Sequence, residues 1–552
     1  VAWTRAALGL AVAGAVALVL VSGGSDADPR TPAGPAGMPP PFLGTAVAGS
    51  GGLTAAVDAY GDVVDLRGPG PAGRGLIDNP ADRQAAGTVS AATGIVPRVS
   101  VGGGPARALW QADSVSQRYL PGTNVVRAVG RFGRVRVAVT SAAVGEALAE
   151  VVDVDSPAGA AVTPTLAVNF VPDSGIRCER SRQPHRLAVV CRAAPSAAPS
   201  PRSTAAESDQ LIRAAAGADR HWLSRARPLG AGAPPWARRM YTRSLLTLRA
   251  LSDRRSGAIA AGTRDGWAYV WPRDAGTAAL AFAAAGYPAQ ARRLAGFLLG
   301  LDLDAAARFH GDGTPVPGRG PQGDGAGWVA IAARAAALPP SAVASSRGAA
   351  PWGPNRPDYQ EGTPGEYLAN AIAATSPTQG VSDLSPHIGP VKSDTPPRRG
   401  GEVAADRIAG RFGTGRGLVR RAGDPASGLD SAAAWAVRPF AMPGLYPTVR
   451  KTLLRLAADQ TRFGITPGEG WPGVDPWSAP TAWTAWSLAA LGERRQALGL
   501  LGDLRRAATP AGALPERVDV DTGVPRSTTP LAWTHAFAIL ALRELWPKAG
   551  AR

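Results

Sequence analysis

The hydrophobic period changes once along this chain, and that change dictates a two-part fold. As far as Arg192 the sequence is a succession of short alternating runs. Residues 53–66 read as two short strands about a Gly61-Asp62 turn, and Val125 to Thr140 alternates with a turn near Gly133. Val162 to Val171 and Leu187 to Cys191 repeat the habit. Many short strands between turn residues predict an antiparallel β-sandwich over residues 43–192. Residues 193–229 open with a Pro/Ser/Ala stretch, Ala193 to Ser208, and read as a linker.

Beyond it the period becomes helical. Helices are expected at Trp236–Leu251, Asp274–Ala285, Ala289–Leu299, Trp328–Ala337 and Glu366–Ala374. Five more follow at Ser431–Val437, Thr448–Arg462, Ala479–Leu491, Arg494–Ala507 and Pro530–Leu545. Gly286, Gly300, Gly492 and Gly502 punctuate them. Residues 230–552 are therefore expected to form an all-helical domain. Helix pairs joined by alternating short and long loops can close into a toroid whose long loops carry function. The Pro/Gly/Arg-rich stretch from Gly380 to Gly428 predicts no regular element and reads as a long lid loop.

With 552 residues the chain can bury several cores. Its formal charge of +17 comes almost entirely from arginine, with lysine only at Lys392, Lys451 and Lys548. No compact basic tract or nucleic-acid motif is present, so the charge is read as a solvated surface and nucleic acid is not expected as a partner. After Arg5 an apolar run extends from Ala6 to Val21. Residues 1–24 thus read as an export signal or, uncleaved, a membrane anchor, and residues 25–42 as a flexible tether. The expected location is extracytoplasmic, secreted or membrane-tethered. In such a compartment Cys178 and Cys191, the two cysteines, are expected to form one disulfide closing a hairpin. The five histidines lack ligand spacing, so no structural metal and no cofactor is expected.

Five loop segments of the helical half look unlike core: 266–275, 318–328, 357–362, 468–477 and 514–523. Each sets a carboxylate beside aromatics or glycines. In Trp271-Pro272-Arg273-Asp274-Ala275, with Trp267 and Tyr269 before it, a guanidinium and a carboxylate stand between flat side chains, with Asp274 expected as the helix cap. Charged forks take sugar hydroxyls and aromatic walls take the apolar ring face. Cleaving a glycosidic bond requires two carboxyl groups, one protonated and one ionised. No Ser or Cys nucleophile motif and no phosphate loop is present.

These segments resemble the catalytic domain of glycoside hydrolase family 15, the glucoamylase-like enzymes, in their bacterial two-domain form. The resemblance covers most of residues 235–546. It is carried by Ser256 to Ala261, Tyr269 to Ala275, Asp475-Pro476-Trp477, and the block from Leu514-Pro515-Glu516-Arg517 to Trp533-Thr534-His535-Ala536. It implies an N-terminal β-sandwich followed by an (α/α)6 toroid. It also implies an inverting, exo-acting hydrolase that releases glucose from non-reducing ends of α-glucans. Glu516 then corresponds to the general base and Glu361 to the general acid. Arg273 and Asp274 correspond to the pair binding the terminal glucose, Trp533 to an aromatic near the base, and Arg319 and Asp324 to positions in a shared Gly-rich loop. Trp267, Tyr269, Trp271, Glu469 and Trp477 complete the expected substrate-binding set.

The sequence departs from the family pattern in places. Ile465 stands where an Arg is usual, Glu469 where Asp is common, Gln360 where a Trp often precedes the acid, and Arg517 where Gln usually follows the base. The missing guanidinium keeps open a second reading, a non-catalytic cell-surface glycan-binding protein on the same fold. Trp483 and Trp486 are read as core, and Asp519-Val520-Asp521-Thr522-Gly523 as a turn.

Overall fold

A computed structural model describes residues 44–77, 94–158, 160–168, 170, 174–193, 203–263, 266–339, 356–360, 365–375 and 399–548. The predicted signal and tether, 1–24 and 25–42, and the predicted acid Glu361 lie outside these residues.

The first half is two antiparallel sheets. One contains β1 (Ala46–Gly49), β2 (Thr54–Val57), β3 (Val63–Gly68), β5 (Ile95–Val101) and β11 (Val162–Val168), in that order. The short β4 (Arg74–Gly75) pairs with β3, and β6 (Arg107–Ala108) with β5. The second sheet runs β12 (Ile176–Gln183), β13 (Arg186–Ala193), β10 (Ala147–Asp155), β9 (Val135–Val144), β8 (Val126–Phe132), β7 (Ser114–Tyr119). Alternate side chains such as Leu66, Val99, Val137, Val139, Leu148 and Val152 meet in one core, as period-2 patterning requires. Gly61 and Gly133 occupy the expected turns with φ of 88° and 58°, which a glycine adopts without strain. Cys178 and Cys191 are register partners on β12 and β13 and form the expected disulfide.

The 193–229 linker reading is corrected over most of its length. Thr204–Leu223 is a 20-residue helix, α1. Ser203 caps it, its hydroxyl accepting the Ala206 N–H, and Glu207 in the first turn with Arg220 and His221 in the last complement the helix dipole. Small residues on its inner face, Ala205, Ala215 and Ala216, let it lie close on the second sheet against Val125, Val151, Ala142 and Ala188. Arg186–Asp209 and Arg192–Glu207 ion pairs join it to β13. Alanine suits both a linker and a helix, so composition did not separate the two.

The ten expected helical segments all fall on helices. They are α2 (Pro235–Leu251), α3 (Pro272–Ala284), α4 (Pro288–Leu299), α5 (Gly325–Ala335) and α6 (Leu368–Ala373), then the 3-10 helix Ser431–Ala436. Past α7 (Arg399–Phe412) come α8 (Tyr446–Ala458), α9 (Ser478–Ala490), α10 (Arg494–Ala507) and α11 (Ala532–Leu545). The lid-loop reading of 380–428 is corrected from residue 399 onward. There α7 buries Ala405, Ile408 and Phe412 at helical spacing, and β14 (Val419–Arg421) pairs with β15 (Asp424–Leu429). Residues 380–398 lie outside the described residues.

The helices differ in what they bury. Every residue of α11 is buried, as are nearly all of α3 and α9. By contrast α4, α8 and α10 bury a single stripe. The amphipathic α4 packs on α3 and α5, and α10 packs on α9, so wholly buried helices are backed by half-buried ones. No helix among the described residues is long and apolar enough to cross a membrane, and the apolar run 6–21 is outside them.

Polar contacts seat the helices on the sandwich. The Asn124 side chain donates to the carbonyls of Gly49 (3.0 Å) and Leu246 (2.9 Å) and accepts from Arg243, whose Nη1 donates to Thr123 O at 2.9 Å. Arg243 also lies over the Tyr119 ring at 3.6 Å. Thr509 Oγ1 donates to Thr45 O at 3.0 Å, and Arg67 Nε to Thr263 O at 3.1 Å.

Candidate active site

The site begins where an extended loop enters α3. Trp271 precedes the helix in an extended conformation and Pro272 takes its first position, where a missing N–H costs nothing. Asp274 is thus the third helical residue, and the expectation that it caps the helix is corrected: the N-cap is Trp271, without a side-chain bond. This placement turns both charged side chains inward, leaving Arg273 6% and Asp274 3% exposed.

Arg273 is gripped on one side. Its Nη1 donates to Gln322 Oε1 at 3.0 Å and Asp324 Oδ2 at 2.8 Å, and its guanidinium lies 4.8 Å from the Trp533 ring centroid. Burial pulls its pKa down most strongly, but Asp324, Asp274 and Asp358 together leave it above its ordinary value. Asp274 Oδ1 is buried with no hydrogen-bond partner among the described residues. Burial pushes this carboxyl up to about 7; Arg273 opposes the shift, and the Glu516 charge adds to it.

Glu516 lies at a bend in the loop between α10 and α11, beside the start of α9. Its N–H donates to Thr528 O at 3.0 Å, and its carbonyl accepts from the Ser478 N–H at 2.9 Å. The carboxylate accepts from Trp267 Nε1 at 3.1 Å through Oε1 and from the Ser527 hydroxyl through Oε2. Nothing local announces these contacts, since Trp267 and Glu516 are 249 residues apart.

Around this pair stand the aromatics. The guanidinium of Arg319 is 5.4 Å from the Trp271 ring, and that of Arg308 is 4.8 Å from Tyr269. Burial lowers the Arg319 pKa, Arg308 adds to that, and Glu516 opposes it. Trp533 packs on Trp483 (4.8 Å) and Tyr359 (6.0 Å). Trp477 leads into α9 and meets Trp471 edge-on at 5.2 Å, both half-buried. Trp483 and Trp486 are core, as read, their indole N–H groups donating to Ser431 O and Glu544.

The segment before Glu361 is firmly held. Arg420 donates to both oxygens of Asp358, at 3.1 and 2.9 Å. Tyr359 donates to Asp430 at 3.0 Å and accepts from Gln360 Nε2 at 2.7 Å. Gln322, which also touches Arg273, donates to Asp358 O at 3.1 Å. Thus Trp267, Trp271, Arg273, Asp274, Asp324, Glu516 and Trp533 are joined by direct contacts or charge coupling.

Other predicted members stand differently. Glu469 accepts from Arg416 (2.7 Å) and from the Leu429 N–H (3.2 Å), so its carboxylate is engaged at the β15 hairpin. Arg517 reaches toward Asp475, at 3.8 Å. Ile465 is 2% exposed and packs in the core, so that position supplies no cation. Asp519 closes the predicted turn, accepting the N–H groups of Asp521 and Thr522. Gln322, Ser527, Arg308 and Arg420 are not singled out by the sequence; of the four, Gln322 alone lies in one of the five loop segments that look unlike core.

No family model and no curated protein matches the chain. Among solved structures, a bacterial glucoamylase complexed with acarbose superposes with a TM-score of 0.63 over 95% of this chain and 96% of that one, at 13% identity. A glycosidase (21% identity, TM-score 0.46) covers 59% of this chain and 98% of its own. A glucoamylase from Saccharomycopsis fibuligera (14%, TM-score 0.41) covers 56% and 94%. The antiparallel sheets followed by helices are thus the fold of the bacterial glucoamylase, two domains included.

Proposed function

We propose that this protein is an exo-acting, inverting glycoside hydrolase that releases glucose from the non-reducing ends of α-glucans. The observation that carries the reading is the pairing of Glu516, an acceptor held by Trp267 and Ser527, with the buried Arg273–Asp274 fork, whose Asp274 Oδ1 has no hydrogen-bond partner among the described residues. A terminal sugar hydroxyl donating to that oxygen would satisfy it, while Trp271 and Trp533 wall the ring. Glu516 then takes a proton from the water that attacks the anomeric carbon. Glu361, following the anchored Asp358-Tyr359-Gln360, gives its proton to the leaving oxygen as the carbon–oxygen bond breaks. The new bond forms opposite the old one, so an α-linkage yields β-glucose.

Wholly buried helices backed by half-buried ones support closure into an (α/α)6 toroid. The Cys178–Cys191 disulfide supports an oxidising, extracytoplasmic location, whether the chain is secreted or tethered. The test is glucose release from maltose, isomaltose, trehalose and longer α-glucans, with the anomer read by NMR. Glu516→Gln and Glu361→Gln should each lose about 10²–10⁴-fold in kcat. No release from any substrate, with glycan binding retained, would replace this reading with that of a binding protein.

A further inference from the structure

We propose that His535 is a positioning residue for Glu516, fixing the height of the base-bearing segment through the backbone of Leu514. The inference rests on the reading of Glu516 as the general base.

His535 lies in the first turn of α11, fully buried, two residues past Trp533. Its Nε2 accepts the Leu514 N–H at 3.0 Å. That bond fixes the tautomer: Nδ1 carries the proton and donates to Ser244 Oγ on α2, 2.9 Å away. Burial first, and the neighbouring Arg243 charge second, hold the imidazole well below its ordinary pKa, so it remains a neutral acceptor. The Leu514 carbonyl accepts the Leu531 N–H at 2.9 Å, so both of its backbone groups are held from the start of α11. Only Pro515, whose ring fixes its own φ, separates Leu514 from Glu516, so a hold on the Leu514 backbone limits where the chain can place Glu516.

The segment has a second fastening. Thr509 Oγ1 donates to Thr45 O in the sandwich and accepts the Ala513 N–H at 3.1 Å. On the histidine side, α2 is seated on the sandwich through Arg243 and Asn124. Both anchors, at Ala513 and Leu514, lie just before Glu516 in the chain and lead to the β-domain. A hydrocarbon at position 535 would remove one of them and leave a buried N–H without a partner.

The experiment compares His535→Leu, His535→Gln and Ser244→Ala with wild type in the full chain. Hydrogen exchange of residues 509–518 is measured alongside kcat and KM on maltooligosaccharides. His535→Leu should speed exchange in 509–518 while the sandwich strands keep their protection. Its kcat should fall by up to about 10²-fold with KM unchanged, because a misplaced base affects the chemical step. His535→Gln, which keeps an acceptor within reach of Leu514, should restore most of both. Ser244→Ala frees the tautomer and should speed the same exchange. Unchanged exchange in His535→Leu overturns the proposal, and so does a loss confined to KM. If His535→Leu does not fold, unchanged exchange in Ser244→Ala overturns it instead. Inactive wild type would refute the hydrolase reading alone, because the exchange arm still tests the hold of His535 on the segment.

Discussion

Among the described residues, carboxyls buried without a cation partner in the sandwich interior make its stability depend on pH in an unusual direction. Asp58, Asp62 and Glu150 are each at most 2% exposed. Asp58 Oδ1 accepts the N–H groups of Tyr60 and Asp62, but its Oδ2 and both oxygens of Asp62 have no hydrogen-bond partner among the described residues. Burial pushes Asp58 up to about 7. Burial, then Asp58 and Glu150, hold Asp62 well above the usual range, with Arg98 opposing. Burial also holds Glu150 high, against a contribution from Ser141. In the folded chain these groups keep protons that the unfolded chain releases near pH 4. The unfolded state then binds fewer protons, so stability is full below pH 4 and declines as pH rises toward 7 and beyond.

At about 1.4 kcal/mol per tenfold change, with the group half-ionised at its folded pKa, Asp58 alone accounts for roughly 2 kcal/mol between pH 5 and 7. For a 150–250-residue unit that is about 4–8 °C in Tm. Asp62→Asn removes one of these titrating groups. Scanning calorimetry from pH 5 to 8 should show the wild-type Tm falling with pH and the variant falling much less, with the larger gain at pH 8. Carboxylates stabilised in the opposite sense, such as Asp519, held at about 2 by Arg526 and Thr522 against its burial, are fully ionised throughout this window. Parallel curves for wild type and Asp62→Asn would refute the reasoning.

Other outcomes follow from the same geometry. Asp274→Asn should lower kcat/KM by about 10- to 100-fold, the worth of a hydrogen bond to a charged group, and steady-state kinetics on maltose would show it. Asn124→Ala removes the amide bridging Gly49, Leu246 and Arg243 and should cost about 2–3 kcal/mol, read as a lower Tm. Reducing Cys178–Cys191, which closes a 13-residue separation, should lower sandwich stability by about 2–3 kcal/mol, measured by denaturation with and without reductant.

The sequence alone determined what depends on neighbours along the chain. Period 2 before residue 193 and period 3.6 after it reported the two domains, because each element must turn an apolar face to a core. The Gly61 and Gly133 turns, the Cys178–Cys191 hairpin and the run Trp271 to Asp274 were legible for the same local reason. Where composition suits two structures the reading went astray: α1 looked like a linker and α7 was hidden among Arg and Gly. Tertiary structure decided the rest. It brought Trp267 and Ser527 to Glu516, set Gln322 between Arg273 and Asp358, engaged Glu469 with Arg416, and made Asp274 an inward-facing helical residue rather than a cap. Those contacts join segments tens to hundreds of residues apart. Which of a side chain's several partners it takes depends on how the helices pack, and no local pattern in the chain encodes that choice.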